Sequence, residues 1–224
     1  HCQVYAPIDR QPPWVHDTVL AAVTRTEGLV ITDGTGPINA LFHADCGGRT
    51  SSATAVWGGA APNYLSGVRD TFCLTAAYND WELTLSRDHL RRILNTHSQT
   101  AVGNHLGQVT VTSRDSAGRA SMLFIRGETS QTVRGEQFRR TISGQLGARA
   151  FRSTLFQVTA NEKGFRFVGQ GFGHGVGLCQ TGAIIRTRRG STVDEILAHY
   201  YPGTKLEPRA PTNSVTKTSV RPIP

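Results

Sequence analysis

The chain's most unusual run of residue types is GFGHGVGLCQTGA, residues 171–183. Counting from Gly169, six glycines fall within fourteen residues. Ordered glycine costs conformational entropy, so such a run is expected only where the backbone takes positive φ or where another group approaches it closely. His174 and Gln180 stand inside it. An imidazole there can move a proton or hydrogen-bond a polar ligand, and the carboxamide can donate and accept. The spacing is loosely that of a nucleotide glycine loop. However, no Lys-Ser/Thr follows, and no acidic residue lies about twenty positions on in a βαβ unit, so that use is rejected. The better reading is a tight strand-to-helix turn that displays His174 and Gln180.

A second run, FHADCGGRT at residues 42–50, continues to Trp57-Gly58-Gly59 and Tyr64-Leu65. Arg49 and Thr50 after the glycine pair suit a polar ligand. His43 lies on a strand alternation and is either a ligand group or a satisfied half-buried residue. Trp57 and Tyr64 can stack on sugar faces or serve as core aromatics.

The cysteines are Cys2, Cys46, Cys73 and Cys179, none in a CxxC pair, which disfavours a zinc knuckle. Disulfides and buried thiols both remain open. Lys and Arg outnumber Asp and Glu by 24 to 16, a net charge of +8 that favours an anionic partner. Aromatics are not interleaved with the basic clusters at Arg91-Arg92, Arg139-Arg140 and Arg186 to Arg189, so a stacking platform for single-stranded nucleic acid is not expected. No stretch approaches the roughly 20 apolar residues of a membrane span.

These groups need elements to position them. The expected architecture is α+β: a strand-rich single domain built of β-hairpins with a few short helices. Trp14 to Thr26 reads as partly helical. Leu29 to Thr32 and Pro37 to His43 read as a hairpin around Asp33-Gly34-Thr35-Gly36. Cys46 to Gly59 reads as a long loop. Ser86 is an N-cap for a helix over Arg87 to Leu94, with Leu90, Ile93 and Leu94 inward. Strand pairs are expected at Gly107–Arg114 with Ser121–Arg126, and at Ser153–Ala160 with Gly164–Gly169. Further helices are expected over Gly135–Leu146 and, capped by Thr192, over Val193–Tyr200.

The GFGHGVGLCQTGA run, the FHADCGGRT run with its VWGG and YLSGV followers, and ILAHYYPGT at residues 196–204 together resemble the SpoIID/LytB family, in that family's order. The resemblance covers roughly Cys2 to Leu206. The family usually has Met-Ser where this chain has Leu178-Cys179. The resemblance implies a secreted or membrane-anchored, extracytoplasmic protein acting on peptidoglycan. One named member resembles a lytic transglycosylase that cuts denuded glycan strands during sporulation; the other enhances a cell-wall amidase. It also implies a domain over 1–206 that begins downstream of the family's Glu-Met-Pro acid segment, while residues 207–224, dominated by Pro, Ser, Thr and Asn, read as a loosely ordered tail.

Lytic cleavage needs a carboxylic acid to protonate the glycosidic oxygen. Glu27, Glu82, Glu128, Glu136, Glu162, Glu195 and Glu207 each read most simply as a solvated charge. The catalytic residue is therefore unknown, with His174 and Gln180 as supporting groups. The expected glycan groove is lined by His43, Arg49, Thr50, Tyr64, His174, Gln180 and Tyr201. No cofactor is required. Some relatives hold zinc near a His-Cys like His1-Cys2, which makes Cys2, Cys46 and Cys73 candidate ligands for a structural zinc, with a disulfide among them as the alternative. Glycan strands and a cell-wall amidase are the expected partners.

Overall fold

The computed structural model describes residues 12–75 and 80–209. Helix α1 (Pro13–Thr26) leads to β1 (Leu29–Thr32), β2 (Phe42–His43) and the short helix α2 (Ala53–Trp57). Then come β3 (Asp80–Leu85), α3 (Arg87–Leu94), β4 (Leu106–Arg114), β5 (Ala120–Gly127), β6 (Gln131–Arg134) and α4 (Gly135–Leu146). The hairpin β7 (Phe156–Asn161) and β8 (Gly164–Gln170) precedes β9 (Leu178–Cys179), α5 (Gln180–Arg188), α6 (Val193–Tyr200) and β10 (Lys205–Pro208). The α+β class, with hairpins as its main unit, is the observed one.

Local signals placed the middle of the chain correctly. Ser86 Oγ accepts from the His89 N–H and starts α3, whose Leu90, Ile93 and Leu94 are buried. Strands β4, β5 and β6 form one antiparallel sheet, and β3, β8 and β7 form another in that order. The apolar faces of both sheets close on α3 and α4. Trp81, Phe138, Phe151, Phe156 and Phe167 form the centre of this core. Their rings meet at centroid distances of 4.9–6.3 Å, several of them edge to face. Thr192 and Glu195 close a capping box at the start of α6.

Three expectations change. Strand β1 pairs with β10, from Leu29 opposite Pro208 to Thr32 opposite Lys205. The expected hairpin survives as a Thr32–Pro37 bridge and the Ile38 N–H to Ile31 carbonyl bond. Glu207 thus belongs to a strand rather than the tail, and its carboxylate accepts the Thr32 hydroxyl at 2.9 Å. The loop from Cys46 to Gly59 contains α2, capped by Ser52 Oγ. Helix α1 buries none of its residues among the described ones, and Trp14 is 70% exposed.

A second core lies beside the first. It gathers Cys46, Val56, Tyr64, Leu65 and Cys73 with Val176, Cys179, Ile196, Tyr200 and Tyr201. Its two halves are more than a hundred residues apart in the chain, joined where β2 runs parallel to β9.

Candidate functional site

The glycine run binds these halves together. Gly171, Gly173, Gly175 and Gly177 have φ of 76°, 105°, 82° and 71°, so each turns where an L side chain is strained. Each also passes close to another group. A Cβ on Gly175 would strike the Arg119 guanidinium, and one on Gly177 would strike the Leu41 carbonyl. Between them the chain makes ladder-like bonds to three separate segments. Asp45 and Phe172 exchange bonds at 2.9 Å, the Ser51 N–H donates to Gly175 at 2.7 Å, and the Gly173 N–H donates to Arg152 at 2.8 Å.

This folding gathers three rings, tilted against one another by 57° and 53°. The centroids of His43 and His174 lie 5.6 Å apart, and those of His174 and Trp57 lie 5.2 Å apart. The sequence reading has the turn displaying His174; instead the ring is buried, and Trp57, 38% exposed, is the ring that meets solvent. His174 Nδ1 accepts the Val176 N–H at 3.0 Å, which puts the proton of the neutral ring on Nε2. His43 Nδ1 donates to the Val176 carbonyl at 3.1 Å. Burial holds His174 down at about 4 and His43 well below the ordinary histidine range, where His174 and Arg119 add to the effect. Both rings are therefore neutral at pH 7 and act as hydrogen-bonding plates behind Trp57.

On its other side Trp57 walls a groove of about 380 Å3, with Asn39, Leu41, Pro62 and Tyr64 among its lining. That volume lies within the range of small-ligand sites, and the lining is mostly apolar with a few polar groups.

Three charged groups near this face are buried although nothing local in the sequence marks them so. Glu136 is buried and holds Arg139 through two hydrogen bonds of 2.8 and 2.6 Å. A carboxylate in a fork-to-fork pair with arginine has both oxygens engaged as acceptors. Arg119 is fully buried, donates Nη2 to the Cys46 carbonyl at 2.7 Å, and has its pKa lowered by burial. Its Nε and Nη1 have no partner among the described residues. Asp45 is 5% exposed; burial first pushes its carboxyl up to about 6.

Below the ring stack sits a second constellation. Cys46, Asp70, Cys73 and Cys179 are all buried, and one donor atom from each lies within 4.8 Å of all the others. Cys46, Cys73 and Cys179 form no disulfide with one another. Hydrogen bonding from Cys179, and then from Cys46, draws the Cys73 thiol down, while hydrogen bonding with Cys179 and Cys73 pushes the Cys46 thiol up and the Cys179 thiol is raised as well. This donor set suits a thiolate-seeking metal ion.

The domain described as "Domain of unknown function (DUF8618)" matches residues 73–177. An "Uncharacterized protein" of Brachyspira hyodysenteriae is 31% identical over 189 residues, covering 84% of this chain and 48% of its own length. "Stage II sporulation protein D" of Bacillus subtilis is 29% identical over 187 residues, 83% of this chain and 50% of its own. "Amidase enhancer" of Bacillus subtilis is 28% identical over 228 residues, 83% of this chain and 32% of its own. This chain belongs to the SpoIID/LytB family. It spans half or less of the length of these curated relatives.

Within this family chain the expected groove residues divide by place. His43 and His174 meet in the ring stack, and Tyr64 lines the groove with its hydroxyl taking the Asn39 N–H at 3.3 Å. Thr50 is buried, and its hydroxyl accepts the Val68 N–H at 2.7 Å. Tyr201 donates its hydroxyl to the Leu41 carbonyl at 2.6 Å. Both hydroxyls thus tie loops together. Arg49 is exposed on the Arg49–Arg69 bridge, and Gln180 opens α5 half-buried. Of the expected metal ligands, Cys46 and Cys73 come together, while Cys2 lies outside the described residues. Sequence reasoning missed Asp70 and Cys179 as their companions. The only available signal was Cys179 inside the glycine run, and for Asp70 there was none.

Proposed function

We propose that this chain is the glycan-binding part of an extracytoplasmic protein acting on peptidoglycan, with Trp57 as the plate on which a denuded strand rests. The observation that carries the reading is the Trp57–His174–His43 stack beside the groove of about 380 Å3. A sugar ring offers an apolar face to an aromatic plate and hydroxyls to its edges, and a mostly apolar groove with a few polar groups suits both. The names of the relatives, a sporulation protein and an amidase enhancer, agree with a cell-wall role. The net charge of +8 suits an anionic wall. No helix among the described residues is long and apolar enough to cross a membrane.

The described residues supply the groove but no general acid. Glu136 is committed to Arg139, and Asp45 is only 5% exposed. On this reading the described residues bind glycan, and a lytic transglycosylase reaction belongs to the proposal only for the longer proteins of the family. The second reading is stimulation of a cell-wall amidase, favoured by the relative named for that activity.

The test is calorimetric titration with denuded glycan strands, with mass spectrometry for anhydromuramic ends. Saturable binding, weakened about tenfold by Trp57→Ala, is expected, with no new ends. Release of anhydro products by this chain would overturn the division of labour. Absence of binding together with stimulation of an amidase would move the function to the second reading.

A further inference from the structure

The four-residue constellation at Cys46 comes from three distant parts of the chain. Cys46 follows β2, Asp70 and Cys73 flank the start of the 3-10 turn Cys73–Thr75, and Cys179 ends β9 and caps α5. Cys46, Asp70, Cys73 and Cys179 are each 0% exposed. Burying a carboxylate beside three thiols is costly unless something positive or hydrogen-bonding compensates it.

The surroundings are arranged for charged sulfurs. The Gly48 N–H donates to Cys73 Sγ at 3.0 Å. The Cys46 N–H donates to Cys179 Sγ at 3.2 Å, and the Gly182 N–H at the start of α5 donates to the same sulfur at 3.4 Å. Neutral thiols are weak acceptors, whereas thiolates reward such donors. Sγ of Cys46 lies 3.1 Å from that of Cys73 and 3.7 Å from Asp70 Oδ2. A tetrahedron of thiolates about 2.3 Å from zinc has edges of about 3.8 Å, so these donors need only small shifts to surround one ion.

The next shell fits as well. The Tyr200 hydroxyl donates to Asp70 Oδ2 at 2.5 Å, and Arg186 lies 3.5 Å from Oδ1, its guanidinium over the Phe72 ring at 4.3 Å. Outer groups of this kind orient a ligating carboxylate and offset its charge. Gly182 admits this packing: a Cβ there would collide with the Asp70 carboxylate and the Tyr200 hydroxyl.

We infer that Cys46, Asp70, Cys73 and Cys179 together bind one Zn2+ ion as a closed structural site that staples β2, the turn before β3 and the start of α5. Three sulfurs and one carboxylate oxygen, all buried and within 4.8 Å of one another, suit zinc, and four protein donors would fill a tetrahedral coordination and make the ion structural rather than catalytic. The competing chemistry is a Cys46–Cys73 disulfide. It would leave Cys179 with two peptide donors and no charge to receive them. The ion would sit beneath the glycine run and hold the floor of the ring stack.

The full chain, purified in the presence of zinc, should carry one zinc per chain by elemental mass spectrometry. Cobalt(II) in its place should show the intense visible bands of a tetrahedral site and the charge-transfer absorption of three thiolates. Cys2→Ala should keep the metal. Cys179→Ser should lower zinc affinity on the order of a hundredfold, and Asp70→Asn by less. If Cys179→Ser does not fold, the cobalt spectrum of the Cys2→Ala chain decides. A metal-free protein lighter than its reduced form by the mass lost on disulfide formation would overturn the site. So would a metal-free protein whose thiols all titrate on unfolding, or zinc that is retained in Cys179→Ser and lost in Cys2→Ala.

Discussion

The phenylalanine core around Phe138 and the cysteine–tyrosine core around Cys46 are both closed to solvent, yet they are made of different material. The first draws every member from one continuous stretch, Trp81 to Phe167, and all of them are apolar. The second joins residues 46–73 to residues 176–201. Buried beside it are His43, Asp45, Ser51, Asp70 and His174, and Arg119 reaches in from the other region. Apolar packing tolerates repacking as long as volume is kept, whereas buried polar groups demand a partner at a set distance. The difference separates the work. The phenylalanine core carries stability, and the mixed core carries the geometry that a ligand or an ion would read.

The largest expected effect tests the first region. Phe138 is 0% exposed and packs against Phe151, Phe156 and Phe167. Phe138→Ala should cost about 3–5 kcal/mol in denaturant unfolding. A cost below about 1 kcal/mol would mean that this core does not dominate stability.

The next effect belongs to the mixed core and to pH. His174 is held at about 4 in the fold, chiefly by burial, against an ordinary value of 6.5. The unfolded chain therefore takes up a proton first as pH falls. Stability linked to His174 is complete above about 6.5 and is lost as pH drops from there to about 4, by up to roughly 3 kcal/mol. Asp45 shifts in the opposite sense, so the measurement is the difference between the wild type and His174→Gln across this window. The wild type should weaken relative to the variant as pH falls; a pH-independent difference would show that the imidazole is not held neutral by the fold.

The smallest effect sharpens the contrast with a pair of glycines on helices. Gly144 in α4 has open space where a Cβ would go, and Gly144→Ala should stabilise by about 0.5–1 kcal/mol. Gly182 in α5 faces Asp70 and Tyr200, and Gly182→Ala should destabilise by about 1–3 kcal/mol. Thermal melts of the two variants should move in opposite directions. The same direction in both would remove the claim that α5 is packed to atomic tolerance on the constellation.

Legibility in the sequence follows the same division. The Ser86 and Thr192 caps and the strand-pair patterns of β4–β5 and β7–β8 act over a few residues, so caps, hairpins and the inward face of α3 could be read directly. The glycine run announced itself by composition, and its positive φ values are the expected ones. The outward ring could not be read. Nothing local says that His174 is covered by Trp57, or that Thr50 and Tyr201 give their hydroxyls to the main chain. Glu136 looked solvated because its partner Arg139, one turn away on α4, was read as part of a basic cluster, and because the packing that buries the pair comes from elsewhere.

By itself, then, the sequence determined the α+β class, most elements of the middle region, the family and the special character of residues 169–182. Those properties rest on short-range propensity and composition. Tertiary structure alone decided that β1 pairs with β10, that Trp57 faces solvent while both histidines are buried, and that Asp70 and Cys179 join Cys46 and Cys73. Each of these depends on residues brought together across tens to more than a hundred positions. Such contacts are set by the joint packing of two cores, and no local pattern in the chain encodes them.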